Sequence, residues 1–256
     1  MIASDLRYAL DPVLFVKDNL KISFPDAPDP WQEEVLRGTG DMMLNCTRQA
    51  GKSTTTAAKG LHKAIYTPKS LTILVSPSQR QSGELFKKVQ DQMGEMLHPP
   101  KLEEDNKTSC TLVNGSRIVS LPGEERTIRG FSSAALIIED EASRVKDELN
   151  AAISPMRAIS HGQLIEMSTP FGKRGHFFKS WTEDGDLWKR IEIPWWKCPR
   201  ISKEFIASER VKFGDWWIRQ EYECEFVQTS DQVFSYDLVL ASMSDDIEPL
   251  FLGGEA

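Results

Sequence analysis

The stretch NCTRQAGKST, residues 45–54, constrains this chain more than any other. It stands between a short apolar run, Asp41 to Cys46 (DMMLNC), which reads as a buried strand, and a helix-forming segment from about Lys52 to Tyr66. A strand that turns through Gly-Lys-Ser into a helix gathers loop N–H groups and the positive end of the helix dipole around an anion. In that setting Lys52 reaches the outer phosphates of a nucleotide and the Ser53 hydroxyl binds Mg²⁺. Arg48, Gln49, Ala50, Gly51 and Thr54 complete the candidate phosphate-binding set, and Arg48 can touch either phosphate oxygens or a neighbouring carboxylate. The first glycine usual in such a loop is missing, and Cys46 stands five residues before Gly51 in its place. Gly-Lys-Ser alone also fits an ordinary helix start, so the reading depends on what accompanies it.

Its expected companion is present. Residues 135–142, ALIIEDEA, form a hydrophobic strand that ends in acids. An acid at that strand end can reach the Mg²⁺ held by Ser53, and the next can activate the attacking water. Asp140 is assigned to the metal, through water, and Glu141 to the general base. Glu139 is left as the last strand residue, facing a neighbouring helix. A solvated turn would explain acids at a strand end by themselves; the order of loop, then strand, then Asp-Glu favours chemistry.

The remaining elements define the fold class. Residues 5–19 read as one helix with Leu6, Leu10, Leu14 and Phe15 on one face, and Pro25, Pro28 and Pro30 then break the chain. Trp31 to Arg37 reads as a short helix, Leu71 to Ser76 as a strand, and Gln79 to Leu97 as a helix striped by Leu85, Phe86, Val89 and Met93. Cys110–Val113 and Arg117–Leu121 flank Asn114-Gly115, a hairpin signal. Asp147 to Ile159 reads as helical despite Pro155, and Gln163 to Ser168 as a fourth core strand. Helices near 174–182, 202–210 and 214–223 and a strand near 187–193 follow. Alternating strands and helices predict an α/β fold with a mostly parallel central sheet flanked by helices and added antiparallel strands.

Composition narrows the function classes. The 256 residues suffice for one large domain or two small ones. No apolar run approaches the roughly 20 residues of a membrane span, and no secretory signal is visible, so no membrane partner is expected and a cytosolic location is the default. Cys46, Cys110, Cys198 and Cys224 form no CxxC pair and read as reduced thiols. The net charge of −7 is unlike a dedicated nucleic-acid binder, so any DNA contact is local or shared among subunits.

Together these stretches resemble the N-terminal ATPase domain of the large terminase subunit of tailed bacteriophages. Pro30-Trp31-Gln32 resembles the family's adenine-contacting element, and CTRQAGKST its deviant phosphate loop, which tolerates the missing glycine. Arg129-Gly130-Phe131 is similar to its arginine element, Ser168-Thr169-Pro170-Phe171-Gly172 to its coupling motif, and Glu221 to Phe226 with Val233-Phe234-Ser235 to the region closing the domain. The resemblance implies a P-loop NTPase of the ASCE type with ATP and Mg²⁺ as ligands. Its site would consist of Lys52, Glu141 and Arg129 as catalytic residues, Gln32 at the adenine, and Ser168, Thr169 and Pro170 in coupling. Arg126 is the alternative to Arg129 as arginine finger.

The resemblance further implies a motor that drives double-stranded DNA into a capsid. It would work as a homo-oligomeric ring with a portal protein and a small terminase subunit, in the cytoplasm of an infected bacterium, docked transiently on the procapsid. Residues 1–235 are expected to form the ATPase domain, with 1–30 an N-terminal helical or lid segment. Residues 236–256 would be a tail or the start of a linker to a nuclease domain, and no nuclease activity is expected of this chain, which as an isolated species would be monomeric. A helicase-like DNA-dependent ATPase and a non-hydrolysing nucleotide-binding assembly module are the rival readings. The loop Phe171 to His176 and the basic, tryptophan-containing stretch from Trp195 to Arg219 are candidate DNA or subunit contacts, although Trp195, Trp196, Trp216 and Trp217 read more readily as core. No catalytic role is assigned to His62, His98, His161 or His176.

Overall fold

The computed structural model describes residues 2–122, 130–228 and 242. Its centre is an eight-stranded sheet. The first strand, β1 (Met42–Cys46), leads through the Gly-Lys-Ser turn into α4 (Lys52–Tyr66), preceded by α1 (Ile2–Leu10), α2 (Pro12–Asn19) and α3 (Pro30–Arg37). There follow β2 (Leu71–Ser76), α5 (Gln79–Glu95), β3 (Leu102–Asp105), β4 (Ser109–Leu112), β5 (Arg117–Pro122) and β6 (Leu136–Asp140). The chain continues through α6 (Asp147–Ile153), β7 (Gln163–Ser168), α7 (Gly175–Thr182), β8 (Lys189–Ile193), α8 (Lys203–Phe213) and α9 (Asp215–Glu221).

The strand order is β3-β4-β5-β2-β6-β7-β1-β8. From β5 to β8 every neighbouring pair is parallel, while β3 and β4 are antiparallel additions at one edge. The acid-bearing strand β6 is therefore not adjacent to the phosphate-loop strand β1; β7 lies between them. A mostly parallel sheet with antiparallel strands added at one edge is the architecture the sequence predicts.

Side chains alternate across the sheet and divide the core in two. Leu44, Leu74, Leu136, Ile138, Ile165 and Met167 face α4 and α5, meeting Ala57, Leu61 and Phe86. On the other face Ile73, Val75, Ile137 and Leu164 meet Leu149 and Ile153 of α6. Small residues on α4 let it lie close: a Cβ on Gly60 would stand 3.3 Å from Thr72. α2 joins the first core through Val13, Phe15 and Val16, all buried.

The N-terminal helix is two helices and not one. Pro12 has no N–H and restricts the residue before it, so Asp11 is extended (φ −130°, ψ 99°) and its carboxylate caps α2 at Val13 N. Leu6 and Leu10 are 60% and 77% exposed, and do not share a buried face with Phe15. The segment after Asp147 also departs from one long helix: α6 ends at Ile153, and a 3-10 turn carries Ser154–Arg157 through Pro155. β3, the sequence LEED, has every residue exposed and offers no alternation from which to read it.

Candidate active site

The residues flanking Gly51 fold as their chemistry requires. Gly51 takes φ +94°, a conformation that side-chain-bearing residues rarely adopt, and begins α4. A Cβ there would also come within 3.1 Å of the Gln32 amide nitrogen. Arg48 and Gln49 are exposed, and Ala50 is buried beneath them. Thr54 lies in the first turn of α4, its carbonyl accepting a bond from Gln92.

The end of β6 meets this loop. Ser53 Oγ donates to Asp140 Oδ2 at 3.2 Å, and Lys52 Nζ donates to Glu141 Oε1 at 2.9 Å. Glu141 is left-handed (φ 56°, ψ 40°), an unusual state for a non-glycine residue, held by its N–H bonding back to Asp140 Oδ1. Such strain, of order 1–3 kcal/mol, is typical of functional sites. It turns Glu141 out of the strand and onto Lys52.

The two acids differ electrostatically. Burial pushes the Asp140 carboxyl above the usual carboxylate range, against the pull of Lys52. Burial pushes Glu141 upward too, but Lys52, Arg144 and Arg48 outweigh it and hold Glu141 below its ordinary value. Glu141 thus stays ionised. Lys52 loses solvation on burial, yet Asp140 and Glu141 raise its pKa, so it remains charged.

Residues that sequence reading passed over complete the cluster. Arg144, three positions after Glu141, donates to Glu141 Oε2 at 2.9 Å and to Thr169 Oγ1 at 3.3 Å, and lies 4.6 Å over the Phe171 ring. Ser143 Oγ lies 2.7 Å from Ser168 Oγ and donates to the Thr169 carbonyl at 2.8 Å. Ser168, Thr169 and Pro170 are buried, so the strand end of β7 is bound to the residues just after the acid pair. Arg48 meets the buried carboxylate of Glu221 at 2.5 Å, the second of its two expected partners. The Asn45 side chain bonds the Cys224 carbonyl, and the Arg48 N–H bonds the Glu221 carbonyl. The chain from Glu221 to Cys224 therefore closes back onto the phosphate loop. Arg144 had a local signal, its place just after the acid pair; Glu221 was named only within the closing region, and nothing local signalled its pairing with Arg48, 173 residues away.

Gln32 sits beside the loop but is also structural. Its Oε1 accepts from the Asp29 N–H at 2.8 Å and its Nε2 donates to Thr55 Oγ1 at 3.0 Å, which ties the start of α3 to α4. Arg200 reaches Asp29 at 2.8 Å and the Ala50 carbonyl at 3.1 Å, closing the same side. Arg126 and Arg129 lie outside the described residues, as do Val233 to Ser235 and 236–241.

The tryptophan-rich stretch is not simply core. Trp196 and Trp216 are 59% and 52% exposed, whereas Trp195 and Trp217 pack against Ile206, Ile218 and Tyr222. Trp196 lies on a 3-10 turn and Trp216 in the first turn of α9. Arg210 is paired with Asp215 and Glu223, Lys212 with Glu209 and Arg219 with Glu225. Those cations are matched by acids and do not form an open basic stripe.

Comparison with known proteins gives the family of the chain. The family described as "Terminase large subunit, T4likevirus-type, N-terminal" matches residues 43–240. The terminase large subunit of Thermus phage G20c is 24% identical over 244 residues, spanning 81% of this chain and 50% of that protein. The chain thus spans about half the length of the curated relatives it matches. Among solved structures, the large terminase ATPase domain of Thermus phage P74-26 superposes with a TM-score of 0.67 at 19% identity, covering 81% of this chain and 97% of that one. The large terminase of another thermophilic bacteriophage, in complex with ADP, gives 0.65 at 10% identity, covering 78% and 54%.

Proposed function

From the premise that this chain belongs to the T4-like terminase large-subunit family through its N-terminal part, we propose that it is the ATP-hydrolysing motor unit of a DNA-packaging machine. The observation that carries the reading is the convergence of Lys52 with Glu141 and of Ser53 with Asp140 across two separate elements. A loop that cradles phosphate, a paired lysine and an ionised base at the same point are the parts of phosphoryl transfer to water. The thermophilic-phage terminase solved with ADP is consistent with a nucleotide at this place.

The residues fit their ligands. The Ser53 hydroxyl and Asp140 carboxylate are hard oxygen donors of the kind Mg²⁺ takes. When bound, Mg²⁺ supplies charge neutralisation on the phosphates. Backbone N–H groups of residues 49–54 bind phosphate oxygens, aided by the α4 dipole. Lys52 exchanges its bond to Glu141 for a phosphate oxygen, which releases Glu141 Oε1 to orient and deprotonate the attacking water. Arg144 keeps the other oxygen of Glu141 fixed during that exchange. Loss of phosphate is then felt through Arg144 and Ser143 at Thr169 and Ser168, where the chain leaves the sheet toward Phe171. Gln32 borders the base side of the pocket and Arg129 supplies the arginine finger.

Residues 1–235 act as the ATPase domain in this reading, 1–30 as its N-terminal segment, and 236–256 as a tail or linker. Double-stranded DNA, a portal protein, a small terminase subunit and other copies of the chain in a ring are its partners, in the host cytoplasm at the procapsid. Among the described residues no helix is long and apolar enough to cross a membrane.

The test is phosphate release from Mg·ATP across a wide range of chain concentration, beside Lys52→Ala. Turnover that vanishes in the variant, and rises per chain with concentration, supports a motor completed by its neighbour. Tight nucleotide binding without release, alone or with DNA and portal present, would favour the assembly-module reading and overturn this one.

A further inference from the structure

Glu139 and Glu166 are register partners across β6 and β7. Their side chains lie on the face of the sheet that meets α6 and α7, opposite the face on which Asp140 meets Ser53. They are 0% and 1% exposed. The His176 ring, at the start of α7, is 10% exposed and points at both. Its Nε2 lies 3.6 Å from Glu139 Oε2 and 3.9 Å from Glu166 Oε1. One side-chain amide, Asn150 Nδ2, donates to both carboxylates, at 3.2 and 2.7 Å. Glu139 Oε1, Glu166 Oε2 and both His176 ring nitrogens are buried without any hydrogen bond.

Buried polar atoms of this kind normally find partners, and buried carboxylates need a cation. The imidazole stands in ion-pair range of both acids but hydrogen-bonds to neither, so the orphaned atoms keep their unmet demand. The spacing matches a different solution. A divalent ion with bonds of about 2.0–2.1 Å holds tetrahedral ligands roughly 3.3 Å apart, so the imidazole, at 3.6 and 3.9 Å from the two carboxylates, would close in by about half an ångström on binding. One ligand atom from each of the three residues lies within 4.8 Å of the others. The surrounding carboxylates hold the ring protonated without an ion; once a metal displaces that proton, two carboxylates and a neutral imidazole balance a dication. An imidazole in the set favours a first-row transition metal over magnesium or calcium.

We propose that Glu139, Glu166 and His176 bind a divalent transition-metal ion, zinc foremost, at a site separate from the nucleotide pocket. Around it, Asn150 orients both carboxylates. Asp147 Oδ1 lies 3.5 Å from His176 Nδ1, in ion-pair range but not hydrogen-bonded to it. The same Asp147 oxygen accepts the His176 N–H at 2.9 Å. The ion joins the ends of β6 and β7 to the start of α7. It thereby anchors both sides of the segment from Ser168 to Gly175 that leads out of β7.

The experiment uses the untagged chain, stripped with a chelator and kept free of nucleotide. Titration with Co²⁺ is followed by visible absorption and Zn²⁺ binding by calorimetry and thermal midpoint. One equivalent of Co²⁺ should give d–d bands that Zn²⁺ displaces, Zn²⁺ should raise the midpoint by several degrees, and X-ray absorption should count one imidazole per metal. His176→Asn and Glu166→Gln should each weaken the metal at least tenfold, and Ser53→Ala should leave it unchanged. Absence of bands and of any midpoint shift at millimolar metal overturns the proposal without recourse to a variant. So does a thiolate-to-cobalt charge-transfer band, which would assign the metal to a cysteine, or undiminished binding in a folded His176→Asn.

Discussion

Replacing Arg144 with methionine tests the proposed coupling between the base and the strand end of β7. The side chain makes one charge-assisted bond to Glu141 at 2.9 Å and a longer one to Thr169 at 3.3 Å. Bonds to charged groups contribute about 1.5–3 kcal/mol. Arg144 and Glu141 are 26% and 22% exposed, so partial screening places the loss near the lower end. If about 2 kcal/mol of base positioning is lost in the transition state, kcat falls roughly 30-fold. Arg144 makes no bond to the phosphate loop, so KM for ATP should stay within about twofold. The pH profile gives a second readout. Arg144 is one of the groups holding Glu141 below its ordinary pKa. Glu141 must be ionised to accept a proton, so removing the arginine should move the acid limb of kcat to higher pH. Arg144→Lys keeps the charge and should restore the limb while recovering only part of kcat. Steady-state phosphate release between pH 5 and 8, on the assembled motor where the isolated chain is slow, measures both. A methionine variant with kcat within twofold of wild type and an unmoved acid limb would refute the positioning role.

Three further outcomes follow from packing and capping. Gly162→Ala puts a Cβ 1.9 Å from the Ala134 carbonyl oxygen; forcing the two chains apart should cost about 3 kcal/mol, read by chemical denaturation. Lys59→Met leaves the Val35, Leu36 and Gly38 carbonyls, each now within 3.1 Å of the ammonium, without their donor, and should cost about 2–3 kcal/mol. Asp11 loses solvation on burial, but Arg37 and the Val13 N–H outweigh this and keep its folded pKa below the unfolded value. Its contribution is therefore complete above the ordinary aspartate range and is lost as pH falls through the depressed folded value. The thermal midpoints of wild type and Asp11→Asn should differ at neutral pH and converge in acid.

The Gly-Lys-Ser turn, the acid strand and the parallel sheet were legible because each is encoded locally. An apolar run sets a strand, Gly51 permits the turn, and the acids follow directly on β6. The hairpin was legible for the same reason: Asn114 and Gly115 form its turn, with Gly115 at φ +80°. What escaped was either masked locally or assembled at long range. Pro12 broke a helix whose apolar spacing looked continuous, and β3 carries three acids and one exposed leucine, with no buried face to announce it. Arg144 reads as an ordinary arginine until β7 brings Thr169 to it. The Glu139, Glu166 and His176 cluster draws on β6, β7 and α7, and no spacing rule connects them. The tryptophans misled because aromatic residues usually signal core, whereas two of the four here face solvent.

The central claim is that Glu141 activates water against a nucleotide held by Lys52 and Ser53. Its most direct test is single-turnover hydrolysis by Glu141→Gln, with nucleotide affinity measured in parallel. The account predicts that the variant binds Mg·ATP as tightly as wild type and releases phosphate at least about 100-fold more slowly, in line with the loss of a general base. Release at the wild-type rate, with binding intact, would contradict it.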